Sequence, residues 1–194
     1  MRTDGTPNAH EGFILVIEGT DGPLFSVAES AAAIAYLSTH YPQCKKRSSG
    51  WQLSVEEVSL LQSQLGSTDG VHFAAADTRE KFEELRKRYA RDCAVYAALT
   101  TDHGYKLRHG SQFGANYIGY QDVETHGECL MFTGPLAELE QVRAVRIARS
   151  VGKRAMLVTM QQDDNGCSST VTVTDLMTEF FADLRRPHKA CRKE

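Results

Sequence analysis

From Gly104 to Leu176 the chain is a succession of short runs, YKLRH, ANYIGY, ECLMF, RAMLVTM and STVTVTDL, and helical periodicity enters only once, over Ala137–Val151. Short runs rich in β-branched and aromatic side chains, punctuated by turn residues, read as strands. A strand cannot bury its apolar face alone, so these five are expected to form one mixed sheet with a single embedded helix. A longer element precedes them. From Thr78 to about His103, Phe82, Leu85, Tyr89, Cys93 (or Tyr96) and Leu99 recur at spacings of three and four, the signature of one long amphipathic helix, which Gly104 stops. Its other face is dense in charge, from Arg79 to Arg91, and reads as a solvated surface laced with i to i+4 pairs.

The preceding residues read as a smaller unit. Beyond a polar leader of residues 1–12, FILVIEG is a buried strand turned by Gly19–Gly22 into its hairpin partner PLFSV. Ser26, with Glu29 three residues on, is the expected capping box of a helix through Ala31, Ile34 and Leu37 that ends near Tyr41-Pro42. CKKRSSG is a basic loop, and Ser54 with Glu57 forms a second capping box, followed by Val55, Val58, Leu61 and Leu65 on one face. Trp51 reads as a core anchor, because a lone tryptophan is usually buried. GSTDGVHFAAADT is the softest stretch, which puts the expected domain boundary at residues 76 and 77. The fold class expected is therefore α/β, of the α+β kind: a small N-terminal α/β domain over 1–76, then a domain over 77–194 ending in a basic tail.

Composition narrows the function. With 41% apolar and 24% charged residues in a chain of 194, a globular core is available, and no apolar run approaches a membrane span. The N-terminus, MRTDGTPNAHEG, carries no hydrophobic signal region. Five scattered cysteines without a CxxC pair indicate neither a disulfide framework nor a zinc site, and no cofactor is expected. A net charge of −3 argues against a protein that coats nucleic acid, so a nucleic-acid site has to be a property of one face.

Chemistry concentrates between Tyr105 and Lys153. Tyr120, His126 and Lys153 are residue types that can take a proton, give one near neutral pH, and sit against charge building on a phosphate. On the embedded helix Leu139, Val142 and Val145 are expected to form the inner stripe, with Arg143, Arg146 and Arg149 one residue on, about 100° round the axis, as a basic ridge. Each feature also has a bland explanation. Cations near a helix C-terminus favour its dipole, either of Tyr117 and Tyr120 suits a core, and an isolated histidine suits a surface.

The words around these residues resemble the tRNA-splicing endonucleases, which remove introns from precursor tRNA. The resemblance rests on Gly104-Tyr105, on Gly110-Ser-Gln-Phe113-Gly114, on the aromatic strand Asn116–Tyr120, on His126 opening the next strand, and on Arg146-Ile-Ala148-Arg-Ser150-Val151-Gly-Lys153. It spans roughly residues 85–175 and implies that the C-terminal domain is a nuclease domain and the chain a catalytic subunit. Tyr120 then resembles the general base acting on a ribose 2'-hydroxyl, His126 the general acid at the departing 5'-oxygen, and Lys153 the stabiliser of the phosphorane-like state. Arg146 matches a base-stacking arginine, with Arg143 and Arg149 as further RNA-binding residues. The reaction implied is metal-independent transesterification, leaving a 2',3'-cyclic phosphate and a 5'-hydroxyl.

One condition attaches to a phenol as base. Ionising near pH 10, a phenol in water is only about 0.1% anionic at pH 7, so neighbouring cations must favour the anion. The partners implied are precursor tRNA and other endonuclease subunits in a homo- or heterotetramer, a dimer of dimers, with no membrane. The loop Gln161–Gly166 resembles the family's acidic docking loop, and it also reads as a plain Asp-Asn-Gly hairpin turn. The location implied is the nucleus in a eukaryote or the cytoplasm in an archaeon. Two alternatives stand beside this reading: a non-catalytic structural or RNA-binding subunit of the same complex, and a metal-dependent DNA nuclease. The second wants a strand bearing Glu-x-Lys, and Glu128-Cys129-Leu130 lacks the lysine.

Overall fold

The computed structural model describes residues 14–46, 50–66, 70–120, 126–162 and 169–178. The expected N-terminal leader, residues 163–168 with most of the expected acidic loop, residues 121–125 and the expected basic C-terminal tail lie outside the described residues. The chain divides into two compact units between Ala98 and Leu99.

In the first unit β1 (Leu15–Asp21) and β2 (Leu24–Val27) form the expected antiparallel hairpin. They sit in a five-stranded sheet with β3 (Lys45–Lys46), β4 (Gly50–Leu53) and β5 (Val71–Phe73), in the order β3-β4-β2-β1-β5. Sequence reading missed these last three strands. They are only 2 to 4 residues long and carry too few positions to show a period. β5 lies parallel to β1, in the stretch that reads as a soft linker. The helix α1 (Ala31–His40) starts one turn later than expected. Its N-cap is Ser30, whose hydroxyl accepts from the Ala33 N–H at 3.1 Å. Ser26 is instead a β2 residue paired in the sheet, and its hydroxyl donates to the Gly19 carbonyl. The second capping box is formed as read: α2 (Val55–Leu65) has Ser54 and Glu57 bonded reciprocally, at 3.3 and 2.7 Å. Trp51 is buried in this core.

The single long helix expected from Thr78 is two helices, α3 (Ala76–Arg88) and α4 (Ala90–Thr101), interrupted at Tyr89 (φ −107°, ψ 29°). The hydrogen bonds Tyr89 N–H to Leu85 O and Cys93 N–H to Tyr89 O carry the ladder through the break. The apolar period therefore survives it and hides it from a sequence reading. The expected boundary after residue 76 falls at the first residues of α3.

The second unit is the mixed five-strand sheet with one embedded helix. β6 (Lys106–His109), β7 (Tyr117–Tyr120), β8 (Cys129–Thr133), β9 (Arg154–Gln162) and β10 (Ser169–Asp175) lie in the order β10-β9-β8-β7-β6. Only β8 and β9 run parallel, which is why the one helix, α5 (Glu138–Ser150), lies between them in sequence. Ala144, Val145 and Ala148 of α5 pack on Ile118, Leu130, Phe132 and Ala155. Leu139 is not part of that inner face: it is 83% exposed. It lies nine residues before the buried Ala148, and so about 180° round the axis from it. Among the described residues no helix is long and apolar enough to cross a membrane.

Candidate active site

Tyr117 and Tyr120 are three residues apart on β7, an odd spacing that puts them on opposite faces of the sheet. Tyr117 is buried, and Tyr120, at the strand's end, is half-buried against the α5 side of the core. The strand period thus separates the two tyrosines, one structural and one accessible.

The end of β7 is closed by the residues leading into β8. Gly127 is buried, and a Cβ there would lie 2.3 Å from Ile118 Cγ2 and 3.2 Å from Tyr120 Cζ. Only a residue without a side chain lets this backbone approach the Tyr120 ring so closely. The next residue pins the segment on both sides: the Glu128 N–H donates to Gly119 O at 2.9 Å, and its carbonyl accepts from the Arg154 N–H at 3.0 Å. His126, immediately before Gly127, is exposed.

Lys153 arrives from the far end of α5. The helix closes in a Schellman arrangement, with the Lys153 N–H donating to Ala148 O at 2.8 Å and the Gly152 N–H to Arg149 O at 3.1 Å. Gly152 takes φ +66°, the left-handed region that this closure needs. Lys153, half-buried, then donates its Nζ to the Gly127 carbonyl. One glycine therefore leaves room beside the Tyr120 ring that a Cβ would fill, accepts from Lys153 at its carbonyl, and follows His126 in the chain.

His126 and Lys153 line an open depression of about 870 Å³, together with Arg149, Arg154, Glu128 and Gly127. Tyr120 itself is not among the residues lining it. Of the predicted basic ridge, Arg143, Arg146 and Arg149 are all exposed on α5, but only Arg149 lines the depression. His109 stands elsewhere, exposed on β6 with its ring 6.0 Å from that of Tyr117. His103, without an evident role in sequence, donates Nε2 to the Val171 carbonyl at 3.2 Å.

Sequence reasoning missed Gly127, Arg154 and Asp175. The signals were the glycine directly after His126 and the second cation directly after Lys153. Arg154 donates Nε and Nη2 to Asp175 Oδ2 at 3.1 and 2.7 Å, and Asp175 Oδ1 accepts the Met177 N–H at 2.9 Å. Burial pushes the Asp175 carboxyl up, but the Arg154 and backbone hydrogen bonds outweigh it and hold the group below its usual value. Behind the site, burial pushes the Cys129 thiol up to about 11. Among the described residues, no group of three or more His, Cys, Asp or Glu side chains is placed to hold a metal ion.

Residues 89–173 match the sequence profile of the tRNA intron endonuclease catalytic C-terminal domain. Over these residues the chain carries a domain similar to the catalytic domain of the tRNA-splicing endonucleases. The match contains Tyr120, His126, Lys153 and the whole of α5, and ends inside β10; residues 1–88 lie outside it. No curated protein sequence matches the chain. The matched domain is of the endoribonuclease type that cleaves tRNA introns, and it implies tRNA as substrate.

Proposed function

We propose that this chain is a catalytic subunit of a tRNA-splicing endonuclease, working with other subunits on precursor tRNA and cutting at an intron-exon junction by metal-independent transesterification. The observation that carries this reading is that His126 and Lys153 line one open depression, while the Tyr120 ring, not itself in the lining, lies against Gly127, whose carbonyl accepts from Lys153. Tyr120 takes the proton from the ribose 2'-hydroxyl as its oxygen bonds to phosphorus. The bond from phosphorus to the 5'-oxygen breaks, and His126 gives that oxygen a proton. Lys153 has two ammonium hydrogens beyond the one directed at Gly127, and these meet the charge on the non-bridging oxygens. No water is consumed, so the ends are a 2',3'-cyclic phosphate and a 5'-hydroxyl. Arg143, Arg146 and Arg149 bind the RNA from α5, Arg146 by stacking on a base.

The test is incubation of the protein, with its co-purifying subunits, with an intron-containing precursor tRNA in EDTA, followed by analysis of the ends. Cyclic-phosphate ends support the proposal. Cleavage only with magnesium, or cleavage of DNA, supports a metal-dependent nuclease instead. Retention of the parental cutting rate by His126→Ala or Lys153→Ala would remove that residue's assigned role.

A further inference from the structure

Arg154 follows Lys153 and opens β9, and it lines the same depression as His126, Lys153 and Arg149. Its side chain is 56% exposed although two of its nitrogens are already committed to Asp175 Oδ2. A guanidinium has five N–H donors, so the pair with Asp175 fixes its plane and leaves three for a ligand. Asp175, at 18% exposed, is in turn oriented by the Met177 N–H on its other oxygen. Three cations, Arg149, Lys153 and Arg154, thus line one open depression against the single carboxylate Glu128, and one of the three is held from behind in a set orientation. A planar fork presented at fixed orientation beside other cations suits a phosphate, which it can grip with two parallel hydrogen bonds.

We propose that Arg154 binds a backbone phosphate of the RNA adjacent to the scissile one, and that Asp175 is its positioning residue. This rests on the reading of the depression as the place where RNA is cut. A phosphate contact releases condensed counterions, so it shows in the salt dependence of binding, which an ion pair serving only the β9–β10 edge does not alter.

The experiment uses the full chain with its co-purifying subunits and an intron-containing precursor tRNA, measuring RNA affinity against salt together with KM and kcat. Arg154→Gln is expected to flatten the slope of log affinity on log salt by about 0.7 to 0.9, so that its binding deficit shrinks by roughly threefold between about 50 and 200 mM salt. Its cleavage defect falls on KM. Arg154→Lys, which keeps the charge and loses the fork, restores the slope with weaker affinity. Asp175→Asn changes affinity in the parent and not in the R154Q background. A parental salt slope in R154Q, with the parent protein cutting normally, overturns the phosphate contact and leaves the cleavage reading intact. An equal effect of Asp175→Asn in both backgrounds overturns the positioning role. A parent protein that binds precursor tRNA but leaves it uncut overturns the reading beneath, and the inference with it.

Discussion

In the first unit the Glu57 side chain is buried and met on every side by its own chain. Its Oε1 accepts from the Cys44 thiol at 3.0 Å and the Tyr96 hydroxyl at 3.4 Å, and its Oε2 from the Ser54 N–H at 2.7 Å. In the second unit Lys153 also meets the chain, at the Gly127 carbonyl, yet it stays half-exposed beside an exposed His126 and an open depression. Both are clusters of ionisable groups around one residue. The first is closed, because a buried carboxyl needs its lone pairs filled, and folding uses it up. The second keeps donors turned to solvent, and a cluster of that kind has something left to offer a ligand. A perturbed or polar cluster therefore points to function only when its hydrogen-bonding capacity is left over.

The comparison predicts separable effects. His126→Ala and Lys153→Ala should each lower cleavage of precursor tRNA by roughly a hundred- to ten-thousand-fold, the usual worth of one proton transfer or a comparable charge contact, with little change in thermal midpoint. Single-turnover cleavage and calorimetry on the same preparations check both halves, and a collapse in stability would move the second cluster into the class of the first. Glu57→Ala should do the reverse. It strands buried donors from Cys44, Tyr96 and Ser54, at a cost on the order of 3 kcal/mol read by urea unfolding of the full chain.

Gly127→Ala tests the point where structure and chemistry share a residue. A Cβ 2.3 Å from Ile118 Cγ2 forces a shift, destabilising by about 1 to 3 kcal/mol and moving the Tyr120 ring and the Lys153 acceptor together. Cleavage should fall further than the unfolded fraction explains, and a loss that tracks unfolding alone would show that the glycine only packs.

The smallest effect is expected from Asp175. Its folded-state pKa lies below the ordinary 3.8, so its contribution is complete above that pH and is lost as pH falls through the lower folded value. With its partner Arg154 56% exposed, the contribution is under about 1 kcal/mol. Thermal midpoints from about pH 5 to about pH 2 should fall less steeply for Asp175→Asn than for the parent, and parallel curves would remove the ion pair from the acid response.

Periodicity alone determined a good part of this protein. The five strands of the second unit, α5 between them and the Ser54–Glu57 capping box are local matters of period and short-range hydrogen bonding, legible in a single sequence. The resemblance of the motif ending at Lys153 pointed to the matched domain, and offered Tyr120, His126 and Lys153 as its candidate site residues. What periodicity could not decide was anything set by a partner distant in sequence. The break at Tyr89 hides in an unbroken apolar period, β3 to β5 are too short to show one, and Leu139 is turned outward by how α5 seats on the sheet. The same holds at the site. That Tyr120 rather than Tyr117 is accessible, that Tyr120 and Lys153 both meet Gly127, and that Asp175 aims Arg154 are decided by contacts between residues 7, 26 and 21 positions apart, which only the folded sheet brings together.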